Sequence, residues 1–250
     1  MPCARRVSHR CAFSYDESMT QNTSTVSFRL LERDDYPALI ELVRQAWFSD
    51  VEDDKLAEEL AELDFEHCLS RATLAQVAVR NGIPVGLILG RVDSKETRSI
   101  INTHHTNVVR LTMNVLQTAE GRKEMRKLRH MLSEQMKLMR QAKQQGRAYD
   151  AEVVMFIVDP TLRGYGIGKT LFDWLLGEFD ASGVKNYFLW TDTTCDYGFY
   201  EHRGLNLAGG QEPLPQSPSE NMSLDDHLRV LMYDNETDFA NEGVNPLGRD

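Results

Sequence analysis

The chain has 250 residues, 41% hydrophobic and 26% charged, with a formal net charge of -10. This is the composition of an ordinary globular protein that can bury one substantial core, and its acidic balance argues against a nucleic-acid binder. Its longest apolar run, residues 83–90, is strand-sized and falls short of the roughly 18 residues that a membrane span needs.

The four cysteines, Cys3, Cys11, Cys68 and Cys195, lack metal-ligand or disulfide-framework spacing. They read as thiols of a reducing compartment, the cytoplasm. Arg5, Arg6 and Arg10 have no apolar stretch behind them, which argues against a secretory signal, and Asp16 and Glu17 argue against a transit peptide. Residues 1–25 are polar and aperiodic, the pattern of a disordered extension ahead of a domain over 26–235.

A first strand is expected at 27–31. Asp34 or Asp35 can then cap a helix carrying Leu39, Leu42, Val43 and Ala46. A second helix is expected over 52–70 with Leu56, Leu60, Leu63 and Leu69 near one face. Residues 73–79 and 83–92 alternate as strands around Asn81-Gly82, a tight-turn signal, and so predict a hairpin.

The next segment, about 94–150, carries Leu111, Val115, Leu116, Met125, Leu128, Leu132 and Met139 at helical spacing. Between 94 and 149, twelve lysines and arginines stand against four glutamates, so this stretch holds about +8 and the rest of the chain about -18. The two regions should attract each other. The flanking strands are expected to be antiparallel neighbours, so both ends of the insert must return together. A single 40-residue helix would travel about 60 Å and cannot do this. The spacing therefore predicts a helical hairpin, with arms near 106–118 and 122–145 and a turn at Gly121. Met125, Met131, Met136 and Met139 form a stripe suited to packing, onto the body or onto a second subunit in a homodimer.

Residues 151–158 (AEVVMFIV) read as a buried strand ended by Asp159-Pro160. A helix over 168–179, a stop at Ser182-Gly183, a strand at 187–191, a short helix near 197–202 and strands near Leu205 and 228–233 follow. Residues 211–218 are a proline-rich loop, and 236–250 read as a mobile tail.

Between strand and helix lies Arg163-Gly164-Tyr165-Gly166-Ile167-Gly168-Lys169-Thr170. Alternate glycines let the backbone turn its N–H groups inward and let a ligand approach without meeting a Cβ. The helix N-terminus adds partial positive charge, and Arg163 or Lys169 a full one, so the loop is an anion cradle suited to a pyrophosphate. A Walker loop would need glycine where Arg163 stands, and Gly164, Gly166 and Gly168 do not have the G-x-G-x-x-G spacing of dinucleotide folds.

Arg163, Gly166 and Gly168 match the Arg-x-x-Gly-x-Gly signature of the GNAT superfamily of acetyl-CoA-dependent N-acyltransferases, and Gly198-Phe199-Tyr200-Glu201-His202-Arg203-Gly204-Leu205 resembles its second signature. The resemblance implies an α/β (α+β) fold with a mixed, mostly antiparallel sheet flanked by helices, and with the helical hairpin inserted between the third and fourth strands. It implies acetyl-CoA as co-substrate, its diphosphate on residues 163–170 and its pantetheine arm along Phe156, Ile157 and Val158 in a gap between splayed strands. It also implies direct attack by an amine of a small molecule or peptide, with Tyr200 donating a proton to the departing thiolate. A satisfied core aromatic is the other reading of Tyr200.

For the base, Glu152 lies on the strand before the cradle, where alternation puts it on the face of Val154, Phe156 and Val158. Asp192, at the exit of the next strand, is the second candidate, and simple solvation is the plain reading of either carboxylate. Thr193, Asp196 and Leu205 depart from the family pattern. Cys195 has no histidine patterned beside it as a base, and His104 and His105 lack a patterned third metal ligand. The rival function is a non-catalytic acyl-CoA-binding regulatory module whose basic arm grips nucleic acid or an acidic partner. Against nucleic acid stands the scarcity of aromatics in that arm, which has only Tyr149 at its edge.

Overall fold

The computed structural model describes residues 25–93, 103–193, 195–210 and 229–236. The expected extension before Thr25, the proline-rich loop at 211–218 and the tail after Glu236 lie outside these residues. The strands are β1 (Val26–Leu30), β2 (Leu74–Arg80), β3 (Ile83–Val92), β4 (Ala151–Val158), β5 (Tyr187–Asp192), β6 (Asn206–Gly209) and β7 (Val230–Asp234). They form one sheet in the order β1-β2-β3-β4-β5-β7-β6, antiparallel throughout except for the parallel pair β4 and β5.

The local signals explain the joints. Asn81 and Gly82 both adopt positive φ, at 53° and 78°, as a two-residue hairpin turn requires. A parallel pair cannot be closed by a tight turn, and the crossover helix α5 (Ile167–Ala181) joins β4 to β5. Before α1 (Tyr36–Trp47), Asp35 turns back to accept from the Glu32 N–H at 2.9 Å and from Arg29 at 2.7 Å; it makes no side-chain cap on the helix.

Each face of the sheet carries its own core. On one side Ile88, Ala151 and Val153 pack with Leu171, Leu175 and Phe179 of α5. On the other, Val77, Leu87, Met155 and Ile157 pack with Leu39 and Val43 of α1 and with Ala61 and Phe65 of α2 (Asp54–Arg71).

The insertion forms two helices, α3 (Thr103–Val115) and α4 (Ala119–Gln144), and its ends come together where the Asp93 N–H donates to the Asp150 carbonyl at 2.9 Å. The turn between them is tight enough that a Cβ on Gly121 would lie 1.9 Å from the Val115 carbonyl oxygen. Past this turn the arms diverge, because each has an apolar partner on the body. Leu111 and Val115 bury against Leu56, Leu60 and Leu63 of α2, whereas Ala142 of α4 buries with Phe188 and Met232 on the far half of the sheet. Met125 joins the first cluster and Met139 the second, while Met136 stays 56% exposed, so the methionine stripe is divided among surroundings. Opposite charges draw the insertion onto the acidic body at Arg110–Glu62 (3.2 Å) and, just past α4, at Arg147–Asp234 (2.5 Å).

Candidate active site

The gap expected between β4 and β5 is present. Their pairing covers only Ala151 to Val153 against Tyr187 to Leu189, after which β5 pairs with β7 alone and β4 with β3 alone. A bulge accompanies the parting: Leu89 pairs with Met155 and Gly90 with Val153, which leaves Val154 as the extra residue.

The bulge reverses the alternation along β4. Val153 before it and Phe156 and Val158 after it pack on the α5 side, while Met155 and Ile157 join the core under α1 and α2. Glu152 therefore lies on the α2 face, opposite Phe156 and Val158; the common face read from strict alternation is corrected by that one extra residue.

At the end of β4 the cradle is built largely from backbone. Asp159 accepts from the Thr161 N–H at 2.9 Å and starts a 3-10 turn, Pro160–Leu162. Gly164 and Gly166 then take φ of 84° and 76°, and a Cβ at either would meet nothing within 4 Å, so the space inside the turn is open. Among the described residues, the N–H groups of Gly164, Gly166, Ile167, Gly168 and Lys169 find no acceptor in the chain. The last three are the donors that a helix N-terminus leaves unpaired.

The side chains around the turn differ in availability. The Thr170 hydroxyl donates to the Gly166 carbonyl at 3.1 Å, Lys169 Nζ lies 2.7 Å from Asp173, and Arg163 is exposed. Gly168 packs closely enough on β4 that a Cβ would come 3.2 Å from the Phe156 ring. Arg80, at the end of β2, lies over the Tyr165 ring at 5.3 Å and brings a further cation to the cradle.

Tyr200 lies on the short helix α6 (Gly198–His202), its ring 6.2 Å from Phe172 and 5.6 Å from Phe199. The residue is 9% exposed, and among the described residues its hydroxyl has no hydrogen-bond partner. Burial pushes its pKa up, and the nearby Cys195, Asp192 and Asp196 push the same way, so the phenol keeps its proton. Asp192 closes β5 and accepts from the Cys195 thiol at 3.6 Å. Burial first, and Asp192 second, raise the pKa of that thiol, which opposes a thiolate nucleophile.

Glu152 is 2% exposed. Arg71 reaches both of its oxygens at 2.5 Å, and Arg91 reaches Oε2 at 2.9 Å. His104 Nδ1 lies 2.6 Å from Glu66, which Asn107 also reaches at 2.9 Å, so this histidine ties α3 to α2. Among the described residues no group of three or more His, Cys, Asp or Glu side chains is placed to hold a metal ion, and no helix is long and apolar enough to cross a membrane.

A family model described as the Acetyltransferase (GNAT) family matches residues 36–205, more than half of the chain. The chain belongs to the GNAT acetyltransferase family. No curated protein matches it in sequence. Solved structures similar to the chain include the PaiA N-acetyltransferase of Thermoplasma acidophilum in complex with coenzyme A, which is 14% identical with a TM-score of 0.46 over 85% of this chain and 99% of that one. The ribosomal-protein-S18-alanine N-acetyltransferase of Escherichia coli is 15% identical with a TM-score of 0.44, over 88% and 99%. An N-acetyltransferase of Staphylococcus aureus Mu50 is 14% identical with a TM-score of 0.45, over 84% and 98%.

The structure brings Tyr200 and Asp192 together and sets Glu152 apart on the α2 face. Sequence reasoning did not single out Arg71, Arg80, Arg91 or Asp64. For Asp64 the signal was spacing alone: Asp64, His67 and Arg71 share one face of α2, in a segment that also carries Glu62, Glu66 and Ser70.

Proposed function

We propose that the chain transfers the acetyl group of acetyl-CoA to a primary amine of a small molecule or protein by direct attack of the amine on the thioester. The observation that carries this reading is the row of unanswered N–H groups from Gly164 to Lys169 beside the β4–β5 gap. Buried or ligand-facing donors call for an acceptor, and a diphosphate supplies several at once. Residues 163–170 hold it, with Arg163 and Lys169 as charges. Beyond Val153, the backbone of Phe156, Ile157 and Val158 has no β5 partner and receives the amides of the pantetheine arm. The arm leads the thioester to the aromatic cluster containing Tyr200, whose retained proton is available to the leaving thiolate. Asp192 belongs to the site as a neighbour of that phenol.

The test is free-thiol release from acetyl-CoA with a panel of primary amines, run beside Gly166→Trp and with coenzyme binding measured by calorimetry. Trp at this positive-φ position fills the turn. Its coenzyme affinity should fall at least about 10²-fold, the loss of roughly two charge-assisted hydrogen bonds. Equal affinity in a variant with an unchanged circular dichroism spectrum removes the cradle from the reading.

A further inference from the structure

We infer that Asp64 of α2 accepts the proton that the acceptor ammonium must lose before attack, an inference that rests on the acetyltransfer reading above. β2 and β4 both run antiparallel to β3, and α2 enters β2 through a short connection, so α2 runs counter to β4. Arg71 is fixed on Glu152 at the start of β4. Stepping back from Arg71 to Asp64 covers seven residues, about 10 Å of helix, or roughly three residues of strand. Asp64 thus comes level with Val154 and Met155, where β5 has left β4. Val154 agrees with this placement, since it packs against the cluster that holds Ala61, Phe65 and Cys68.

The face is also the right one. Ala61, Phe65 and Cys68 are directed at the sheet and α1, and Leu56, Leu60 and Leu63 at α3. Asp64, His67 and Arg71 lie in the wedge between these two sets, towards the half of the sheet that α4 covers. Asp64 is half-buried, and among the described residues its carboxylate has no hydrogen bond or ion pair. Glu152, by contrast, has both oxygens occupied by guanidinium groups. The other titratable and charged groups facing this wedge are His67 and Arg71 on α2, His105 on α3, Arg91 on β3 and Glu152 on β4, with Cys68 at its border with the sheet. Burial, then Arg71 and His105, lower the pKa of His67, which leaves it neutral. Burial lifts the Asp64 carboxyl to about 6 against the pull of Arg71, in the range useful to a base near neutral pH.

The proton count closes. One ammonium proton passes to Asp64 and then to solvent. The neutral nitrogen bonds to the acetyl carbon, the carbon–sulfur bond breaks, and Tyr200 protonates the sulfur. The second proton leaving nitrogen restores the phenol.

The experiment compares Asp64→Asn and Asp64→Ala with the wild-type full chain. Asp64→Asn should bind acetyl-CoA normally and release thiol at least about 10²-fold more slowly at neutral pH, with the deficit shrinking at alkaline pH as the amine deprotonates unaided. Added formate should partly rescue Asp64→Ala. A second readout needs no acceptor. The folded carboxyl holds its proton more tightly than the unfolded one, so charging it destabilises the fold as pH rises from about 4 to 6. Asp64→Asn should therefore raise the melting temperature at pH 7.5 and leave it unchanged well below pH 4. Wild-type turnover with an unchanged acid limb, or a melting temperature lowered equally at both pH values, overturns the role of Asp64. Failure of the wild-type chain to bind acetyl-CoA overturns the parent reading instead.

Discussion

The two sides of the β4–β5 gap are made of different materials. At the mouth of α5 the cradle offers main-chain N–H groups and open space, and its side chains stand at the rim. On the α2 side the polar groups are side chains, and Glu152 and Glu66 are already matched to guanidinium, imidazole or amide partners. A backbone cradle recognises charge and shape shared by every molecule of one coenzyme. A wall of side chains can change residue by residue while the backbone keeps its path, at a cost in stability where the side chain is one partner of a buried ion pair. On the proposed acetyl transfer, the difference would separate a fixed donor site from an adjustable acceptor site, and it predicts that substitutions on the two sides fail in different ways.

Tyr200→Phe tests the junction of the two sides and carries the largest expected effect. The ring keeps its place among Phe172, Phe199 and Tyr233, and the hydroxyl it loses has no described partner, so stability should hold. Turnover should fall by about 10² to 10⁴ while coenzyme affinity stays within experimental error. Steady-state kinetics beside calorimetry decide it, and unchanged turnover reduces Tyr200 to a core aromatic.

Glu152→Ala should fail differently, through the fold. Removing one partner of a fully buried ion pair costs roughly 3–5 kcal/mol. Arg71 and Arg91 are 31% and 29% exposed and can turn towards water, so about 2 kcal/mol is expected here. A urea titration should show a lowered midpoint with an unchanged slope. A turnover loss with no loss of stability would return Glu152 to the role of base.

What could be read from the sequence follows the same division. The cradle was legible because its chemistry is local: glycines at alternate positions, a strand before and a helix after, all within some twenty residues. Both arms of the insertion were legible from apolar spacing and from the need for its ends to meet, but the turn falls at 116–118 and Gly121, expected to make it, lies in the first turn of α4. The face of Glu152 was not, because one bulged residue, Val154, reverses the alternation, and a bulge set by pairing with Leu89 and Gly90 leaves no mark on β4 itself. Nor were Arg71 and Arg91, which reach Glu152 from 81 and 61 positions away in the chain. The divergence of α3 and α4 was equally hidden, since each helix has an apolar face and only the body decides what covers it.

The smallest effect should fall on that insertion. Thr118 caps α4 by accepting the Gly121 N–H at 2.9 Å, at the point where α3 and α4 pass closest. Thr118→Ala removes one cap and should cost about 1 kcal/mol. Because α3 is anchored on α2 and the far end of α4 on Phe188 and Met232, the loss should stay in the first turn of α4. Hydrogen exchange should quicken there and remain unchanged between Gly164 and Lys169, with coenzyme affinity intact. Faster exchange spreading into the cradle would mean that the insertion and the donor site are coupled through the sheet, and the separation between a fixed cradle and an adjustable wall would have to be abandoned.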